Sequence, residues 1–140
     1  MSQNVLLDTG PLVAAINHRD NYHQWAIATW DHLTRPLITC EAVITEACFL
    51  LQDTYPGSDA VLTLMNRGIL NIPFHLEEES IAIKTLMNRY QSVPMSLADA
   101  CLVRMAESYK NSFVMTLDSD FQIYRMNRNQ TIPLMMPDRL

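Results

Sequence analysis

Four acidic residues lie beside or within apolar segments, where a carboxylate is unfavourable unless it has a specific role. Asp8 and Asp118 each follow a short apolar run. Glu46 and Asp99 lie in segments whose apolar residues have helical spacing. Four carboxylates brought to one place repel one another, and they stay ionised only beside compensating cations. Oxygen ligands without a histidine cluster suit Mg²⁺ or Mn²⁺ rather than Zn²⁺. Such ions activate water and hold a scissile phosphate, so this set predicts phosphoryl transfer to water.

Each of these acids could instead have a purely structural role. Asp8 could cap the helix that follows it. Glu46, on an apolar helix face, could pair with an arginine from elsewhere in the fold. Asp99 comes three residues after a serine, which is the spacing of a capping box. Either Asp118 or Asp120 could cap the next helix, and we assign that role more readily to Asp120 because it is nearer to the helix start.

The elements that would position the acids alternate between strand and helix. Apolar runs predict strands at about residues 5–7, 36–39, 69–74, 113–117 and 132–135. Helical spacing predicts helices at about 11–17, 22–33, 41–52, 58–67, 77–90, 97–109 and 121–126. This alternation predicts the α/β class: a three-layer α/β/α sandwich around a central parallel sheet of about five strands, with right-handed crossovers.

In a parallel sheet of this kind the carboxyl ends of the strands share one edge, where ligands bind. Asp8 and Asp118 would lie at that edge, and Asp99 would join them from a helix start. We expect the first strand to be the central one. The helix at 41–52 is nearly apolar all round, so we expect it to be buried with Glu46 facing inward.

Composition indicates a globular protein. The 140 residues suffice for one domain, expected to span 1–140, and 49% of them are apolar. No stretch approaches the ~18 apolar residues of a membrane span, and the N-terminus enters the first strand directly, so neither a membrane anchor nor a signal peptide is expected. Cys40, Cys48 and Cys101 lie in apolar segments without CxxC spacing, so we expect reduced, buried thiols and a cytoplasmic protein.

The charge distribution restricts how the chain could meet nucleic acid. A net charge of −5 argues against a protein that bulk charge holds on nucleic acid. It leaves open an enzyme whose acidic site binds cations that then meet phosphates. The candidates for phosphate contacts are Arg19, in the first helical loop, and Arg125 and Arg128, after the Asp118 motif. Scattered surface cations that aid solubility explain these arginines equally well.

The acidic motifs resemble those of PIN-domain ribonucleases, in particular the VapC-like toxins of type II toxin–antitoxin pairs, over nearly the whole chain. The motifs that carry the resemblance are Leu7-Asp8-Thr9-Gly10-Pro11-Leu12, Val43-Ile44-Thr45-Glu46-Ala47, Ser96-Leu97-Ala98-Asp99-Ala100 and Thr116-Leu117-Asp118-Ser119-Asp120-Phe121. The resemblance implies the α/β/α sandwich, RNA as substrate, and Mg²⁺ or Mn²⁺ as cofactor. It also implies a small antitoxin partner that docks over the site, and a homodimer.

The resemblance further implies a role for individual side chains. The metal-binding and catalytic quartet would be Asp8, Glu46, Asp99 and Asp118. Thr9 and Thr116 would be supporting hydroxyls, and Asp120 a further possible ligand.

Two other classes of function compete with this interpretation. A phosphatase or phosphotransfer domain could use a similar sheet, but no acid stands two residues after Asp8, as one such phosphatase class requires. The acid pair and late lysine of a receiver domain are also not evident. The second competitor is a non-catalytic PIN-fold module that binds RNA or protein. We do not favour this module, because a protein that only binds has no reason to bury Glu46.

Overall fold

Short parallel strands form the central sheet of the protein, whose residues 3–140 are described by a computed structural model. The strands in chain order are β1 (Asn4–Leu7), β2 (Leu37–Ile38), β3 (Leu70–Asn71), β4 (Ser112–Met115), β5 (Arg125–Met126), β6 (Gln130–Thr131) and β7 (Leu134–Met135). Five of them make the sheet in the order β3-β2-β1-β4-β7, and every neighbouring pair in it is parallel. The predicted sheet of five parallel strands is confirmed.

Strand β1 occupies the centre of this sheet, as predicted. Val5, Leu6 and Leu7 are all buried, so both faces of the strand are covered. A continuous apolar run is typical of a parallel strand with helices on both sides. On one edge β1 pairs with β4 from Asn4↔Ser112 to Leu7↔Met115, and on the other it pairs with β2. The two strands that precede acids are therefore direct neighbours.

Six α-helices flank the sheet and complete the predicted three-layer sandwich. They are α1 (Thr9–Ile16), α2 (His23–Trp30), α3 (Glu41–Leu50), α4 (Gly57–Asn66), α5 (Ser80–Arg89) and α6 (Leu97–Ser108). Within the described part of the chain, none of the helices is long and apolar enough to cross a membrane. Helix α6 is the most deeply buried, and it packs against β1 and β4 beside the sheet centre. Cys40 and Cys101 are buried free thiols as predicted, whereas Cys48 is half-buried.

The prediction of a buried helix at 41–52 is wrong. In α3 the only buried side chains are Val43 and Ala47, which form one narrow stripe against the core. Phe49 and Leu50 are 67% and 57% exposed, and Glu46 lies on the exposed side with them. Apolar residues around a helix therefore did not mean burial here, because the helix lies on the sandwich surface.

The predicted helix at 121–126 is also wrong. A single 3-10 turn covers Ser119–Gln122, and Arg125–Met126 then pairs in antiparallel register with Gln130–Thr131. The hairpin turn holds Asn127 and Arg128 at φ of 48° and 79°. Three residues, 127–129, join the paired strands, and asparagine tolerates positive φ better than most residues. The Asn-Arg-Asn sequence at 127–129 was the signal for this turn.

Candidate active site

Asp8 stands at the carboxyl end of the central strand and caps the helix that follows. Its backbone N–H donates to the Met115 carbonyl at 3.0 Å, which extends the pairing of β1 with β4 by one residue. Its Oδ1 accepts from the Thr9 N–H at 2.8 Å, and its Oδ2 accepts from the Thr116 hydroxyl at 2.6 Å. The side chain is 6% exposed. Asp8 therefore caps a helix and also lies at the ligand-binding edge of the sheet.

Thr116 connects Asp8 to Asp118. Its hydroxyl donates to Asp8 and accepts from the Asp118 backbone N–H at 2.9 Å. Asp118 is half-buried, and its Oδ1 accepts from the Asp120 N–H at 2.9 Å, which caps the 3-10 turn. The assignment of capping to Asp120 is wrong, because the 3-10 turn begins at Ser119, which makes Asp118 the N-cap residue and leaves Asp120 inside the turn. Asp120 itself is half-buried beside Tyr124.

Asp99 lies in the first turn of α6 and completes a capping box there. Its N–H donates to the Ser96 hydroxyl at 3.0 Å, and its Oδ2 accepts from the Ser96 N–H at 3.4 Å. The predicted capping box is thus present. The same Oδ2 also accepts from the Tyr124 hydroxyl at 2.9 Å. Asp99 is 8% exposed, so its carboxylate is nearly as buried as that of Asp8.

Thr9 links Glu46 to Asp8, because its hydroxyl donates to Glu46 and its backbone N–H donates to Asp8. The Glu46 Oε1 accepts from the Thr9 hydroxyl at 2.9 Å, and this bond brings α3 against the start of α1. The prediction that Glu46 is buried is wrong, because the side chain is exposed. The salt-bridge alternative is not found either: in residues 3–140 both ion pairs belong to Arg104, with Glu79 and Glu107. An exposed Glu46 is compatible with a non-catalytic binding module and does not count against one.

The three aspartates lie close enough to act on one another electrostatically. The pKa of Asp8 is raised to about 7, mainly by burial and also by the charges of Asp99 and Asp118, although the hydrogen bonds from Thr116 and Thr9 lower it. Burial also raises the pKa of Asp99, with a contribution from Asp118, while the Tyr124 hydroxyl lowers it. The charges of Asp99 and Asp118 thus make the ionised form of Asp8 less favourable, and the charge of Asp118 does the same to Asp99.

This donor set fits a divalent cation chemically. Buried carboxylates that raise one another's pKa are stabilised as anions by a cation placed between them, and their oxygens are the ligands that Mg²⁺ and Mn²⁺ prefer. Across residues 3–140, no three His, Cys, Asp or Glu side chains already stand in metal-ligand geometry. The acids are instead held by the hydroxyl and backbone donors of Thr9, Thr116 and Tyr124.

A cleft of about 440 Å³ is lined by Gly10 and Leu117, which belong to the first and last acidic motifs. A Cβ atom built at Gly10 would lie only 3.2 Å from the Leu117 Cβ atom, so glycine is what lets the first acidic motif pack against the last. Arg19 and Tyr22 line the same cleft, and Arg19 is exposed. The structure therefore places one predicted cation next to the residues that follow Asp8 and precede Asp118.

The other two predicted arginines are placed differently. The Nη1 atom of Arg125 donates to the carbonyls of Gln122, Ile123 and Tyr124 at 2.8, 3.0 and 3.0 Å, so this side chain stabilises the chain after the 3-10 turn. Arg128 is exposed in the hairpin turn.

The sequence did not identify two residues that lie at this edge, Thr39 and Tyr124. The Thr39 hydroxyl donates to the Leu7 carbonyl at 2.7 Å and joins β2 to the end of β1 just before Asp8. The hydroxyl of the fully buried Tyr124 contacts Asp99. A tyrosine six residues after Asp118 was the available signal, since a buried phenol needs a hydrogen-bond partner. Its partner was not readable, because Asp99 lies twenty-five residues earlier in the chain.

Residues 5–126 match the family model of the PIN domain. The chain belongs to the PIN-domain family. The matched segment contains all four acids, and membership removes the phosphatase and receiver alternatives. Among solved structures this PIN domain is similar to a chain in the crystal structure of VapBC2 from Rickettsia felis bound to a DNA fragment from their promoter. The TM-score is 0.62 at 17% identity, over 97% of this chain and 100% of that chain. No curated protein matches this PIN domain.

Proposed function

We propose that this PIN domain is a metal-dependent ribonuclease that hydrolyses phosphodiester bonds within RNA. One observation carries the proposal: Asp8, Asp99 and Asp118 meet at the carboxyl edge of the sheet, where the charges of the other two contribute to the raised pKa of Asp8, and the Thr9 hydroxyl holds Glu46 beside them. A carboxylate cluster repels the phosphates of RNA unless a cation lies between them. Family membership supports a nuclease, and the donor atoms support Mg²⁺ or Mn²⁺.

The side chains of such a site would have two different roles, metal binding and orientation of the metal ligands. Asp8, Asp99, Asp118 and Glu46 would hold the ion, with Asp120 as a further candidate. When bound, the ion would supply an activated water and neutralise the scissile phosphate. Thr116 orients Asp8 and the Asp118 backbone, and Thr9 orients Glu46. These hydroxyl bonds fix the carboxylates before substrate arrives, which reduces the reorganisation needed for catalysis.

RNA would approach along the cleft that Gly10 and Leu117 line. Arg19 is the cation of that cleft, so we assign it the first phosphate contact beyond the acids. Arg125 and Arg128 are weaker candidates, since the first is occupied by carbonyls and the second lies on the hairpin.

We further propose that the chain is the toxin of a toxin–antitoxin pair and acts in the cytoplasm as a single domain that forms homodimers. The support for a toxin is the similarity of its fold to a chain of VapBC2, a complex crystallised with promoter DNA. A gene for a small partner protein directly beside this one, and co-purification of the two products, would agree with this role. The homodimer is checked by light scattering of the purified chain.

The test of the nuclease is a cleavage assay on single-stranded RNA with Mg²⁺ or Mn²⁺ and with EDTA. We expect cleavage that EDTA abolishes and that Asp99→Asn reduces roughly a hundred-fold or more, because several kcal/mol of transition-state stabilisation depend on the bound ion. The matched control is Asp53→Asn, which removes an exposed acid outside the site.

Cleavage that persists in EDTA, or that Asp99→Asn leaves intact, overturns the metal-dependent assignment. RNA binding without cleavage by the wild-type protein would identify the non-catalytic PIN-fold module instead.

A further inference from the structure

Tyr124 contacts Asp99, and its position is fixed by hydrogen bonds and aromatic packing. Its side chain is fully buried, and its hydroxyl donates to the Asp99 Oδ2 at 2.9 Å. Its ring stands edge-on to the rings of Tyr90 and Phe121, each at a centroid distance of 5.2 Å. Its backbone N–H donates to the Asp120 carbonyl at 3.1 Å. The position of the phenolic oxygen is therefore set by packing.

The hydrogen bonds of Asp99 are unevenly divided between its two oxygens. The donors described for its carboxylate, from Ser96 and Tyr124, both fall on Oδ2. The Tyr124 bond is the shorter one, at 2.9 Å against 3.4 Å. Anchoring one oxygen of a carboxylate fixes the plane of the group, and so fixes where the second oxygen points.

Tyr124 also joins two of the acidic motifs. The 3-10 turn that Asp118 caps leads directly to Tyr124, while Asp99 belongs to α6. The phenol is thus a connection between the segment of Asp118 and the carboxylate of Asp99. Asp8 and Asp118 are already linked through Thr116.

We propose that Tyr124 is a positioning residue of the metal site: its hydroxyl holds the Asp99 Oδ2 so that Oδ1 is presented to the divalent cation. This inference rests on the proposed function, in which Asp99 is a metal ligand. Groups that hydrogen-bond a metal ligand set its orientation, and their loss weakens metal affinity by about 10–100-fold. Tyr124 itself does not touch the ion or the RNA.

The neighbouring Tyr90 provides a matched control. It belongs to the same aromatic cluster, but its hydroxyl accepts from the Arg125 backbone N–H at 2.8 Å, and within residues 3–140 it has no hydrogen bond to an acid. Tyr124→Phe and Tyr90→Phe each remove one phenolic oxygen from one cluster. If the hydroxyls serve only to hold the cluster together, the two variants behave alike.

The experiment is calorimetric titration of the metal-free protein with Mn²⁺, followed by RNA cleavage at a series of Mn²⁺ concentrations. We expect Tyr124→Phe to weaken Mn²⁺ binding about ten-fold or more. Its cleavage rate should fall at low Mn²⁺ and recover at high Mn²⁺. Tyr90→Phe should keep the wild-type affinity. A folded Tyr124→Phe variant with the Mn²⁺ affinity of Tyr90→Phe overturns the proposal.

A second measurement needs no loss of the hydroxyl and covers the case in which Tyr124→Phe fails to fold. The protein is labelled with 3-fluorotyrosine, and the resonances of positions 90 and 124 are assigned and followed by ¹⁹F NMR as Mg²⁺ is added. The signal of position 124 should shift along the binding curve while that of position 90 stays. Equal shifts at both positions, or none at 124, overturn the proposal.

These results separate the two proposals. If the wild-type protein binds neither ion and does not cleave RNA, the ribonuclease assignment fails and the role of Tyr124 fails with it. If cleavage requires the metal and Asp99 but the two tyrosine variants match, only the role of Tyr124 fails.

Discussion

The acidic site has a buried half and an exposed half. Asp8 and Asp99 belong to the first, with 6% and 8% of their side chains exposed, while Glu46 belongs to the second. In the buried half both oxygens of Asp8 accept hydrogen bonds, and the pKa of Asp8 and that of Asp99 are raised by burial. In the exposed half a single hydroxyl bond from Thr9 orients the glutamate.

This difference separates two ways of supplying a carboxylate to a ligand. The buried aspartates are held rigidly, and in the metal-free protein their ionisation opposes folding. An exposed glutamate is stabilised by water, so it adds charge to the site at little expense to the fold. The strand side of the site should therefore control stability, and the α3 side should affect only function.

The largest expected effect is on the pH dependence of stability in the buried half. The folded-state pKa of Asp8, about 7, lies above its ordinary value of 3.8, so the protonated carboxyl stabilises the fold fully below pH 4. That stability is lost as pH rises through 7, up to about 4 kcal/mol. Asp8→Asn removes this loss. The measurement is urea unfolding of metal-free wild-type and variant proteins between pH 4 and 8.

The free-energy difference between wild type and Asp8→Asn should change across that range in favour of the variant at high pH. Thr39→Val provides the control, because it removes a buried hydroxyl but no titratable group, so its free-energy difference should not change with pH. A constant difference for Asp8→Asn would show that Asp8 is not the residue that titrates.

An intermediate effect is expected from Thr116→Val, which removes the link between Asp8 and Asp118 with little change in shape. Leaving a buried acceptor and a backbone N–H without this partner should destabilise the fold by about 1–3 kcal/mol. We also expect RNA cleavage to fall about ten-fold, because the two acids lose their common anchor. Thermal unfolding and cleavage rates measure the two effects.

Thr39→Val is the control for this variant, because Thr39 is also buried and donates its hydroxyl, but to the Leu7 carbonyl. It should lose stability while cleavage is maintained. Equal loss of cleavage in both variants would mean that Thr116 acts only through the fold.

The smallest effect on stability is expected from Glu46→Gln in the exposed half. The variant keeps an oxygen for the Thr9 hydroxyl and loses only an exposed charge, so its free energy of unfolding should stay within about 0.5 kcal/mol of the wild type. Cleavage should nevertheless fall, since one carboxylate is lost from the site. Denaturant unfolding without metal checks the first result, and a large loss of stability would indicate an ion pair at Glu46.

Local chemistry was largely readable from the sequence. Apolar runs that end at Asp8 and Asp118 correctly predicted parallel strands that bring two acids to one edge, because a buried strand must be apolar on both faces. The Ser96 and Asp99 spacing correctly predicted a capping box, since that contact closes within one helical turn. The acidic motifs also pointed to the PIN family, which the match over residues 5–126 confirms.

The errors arose where distant parts of the chain meet. The composition of α3 could not show which side of the helix faces solvent, because burial depends on what packs against it, so Glu46 was placed inside. The residues after the last motif were predicted as a helix although they form a hairpin, because their local sequence pattern is compatible with both structures.

The sequence by itself determined the acids, their chemical type and the edge of the sheet at which they gather. Only the tertiary structure decided how each carboxylate is held. The bonds from Thr116 to Asp8, from Thr9 to Glu46 and from Tyr124 to Asp99 span 108, 37 and 25 residues. A hydrogen bond needs its atoms within about 3 Å and in line, and no local pattern specifies such a meeting between segments so far apart.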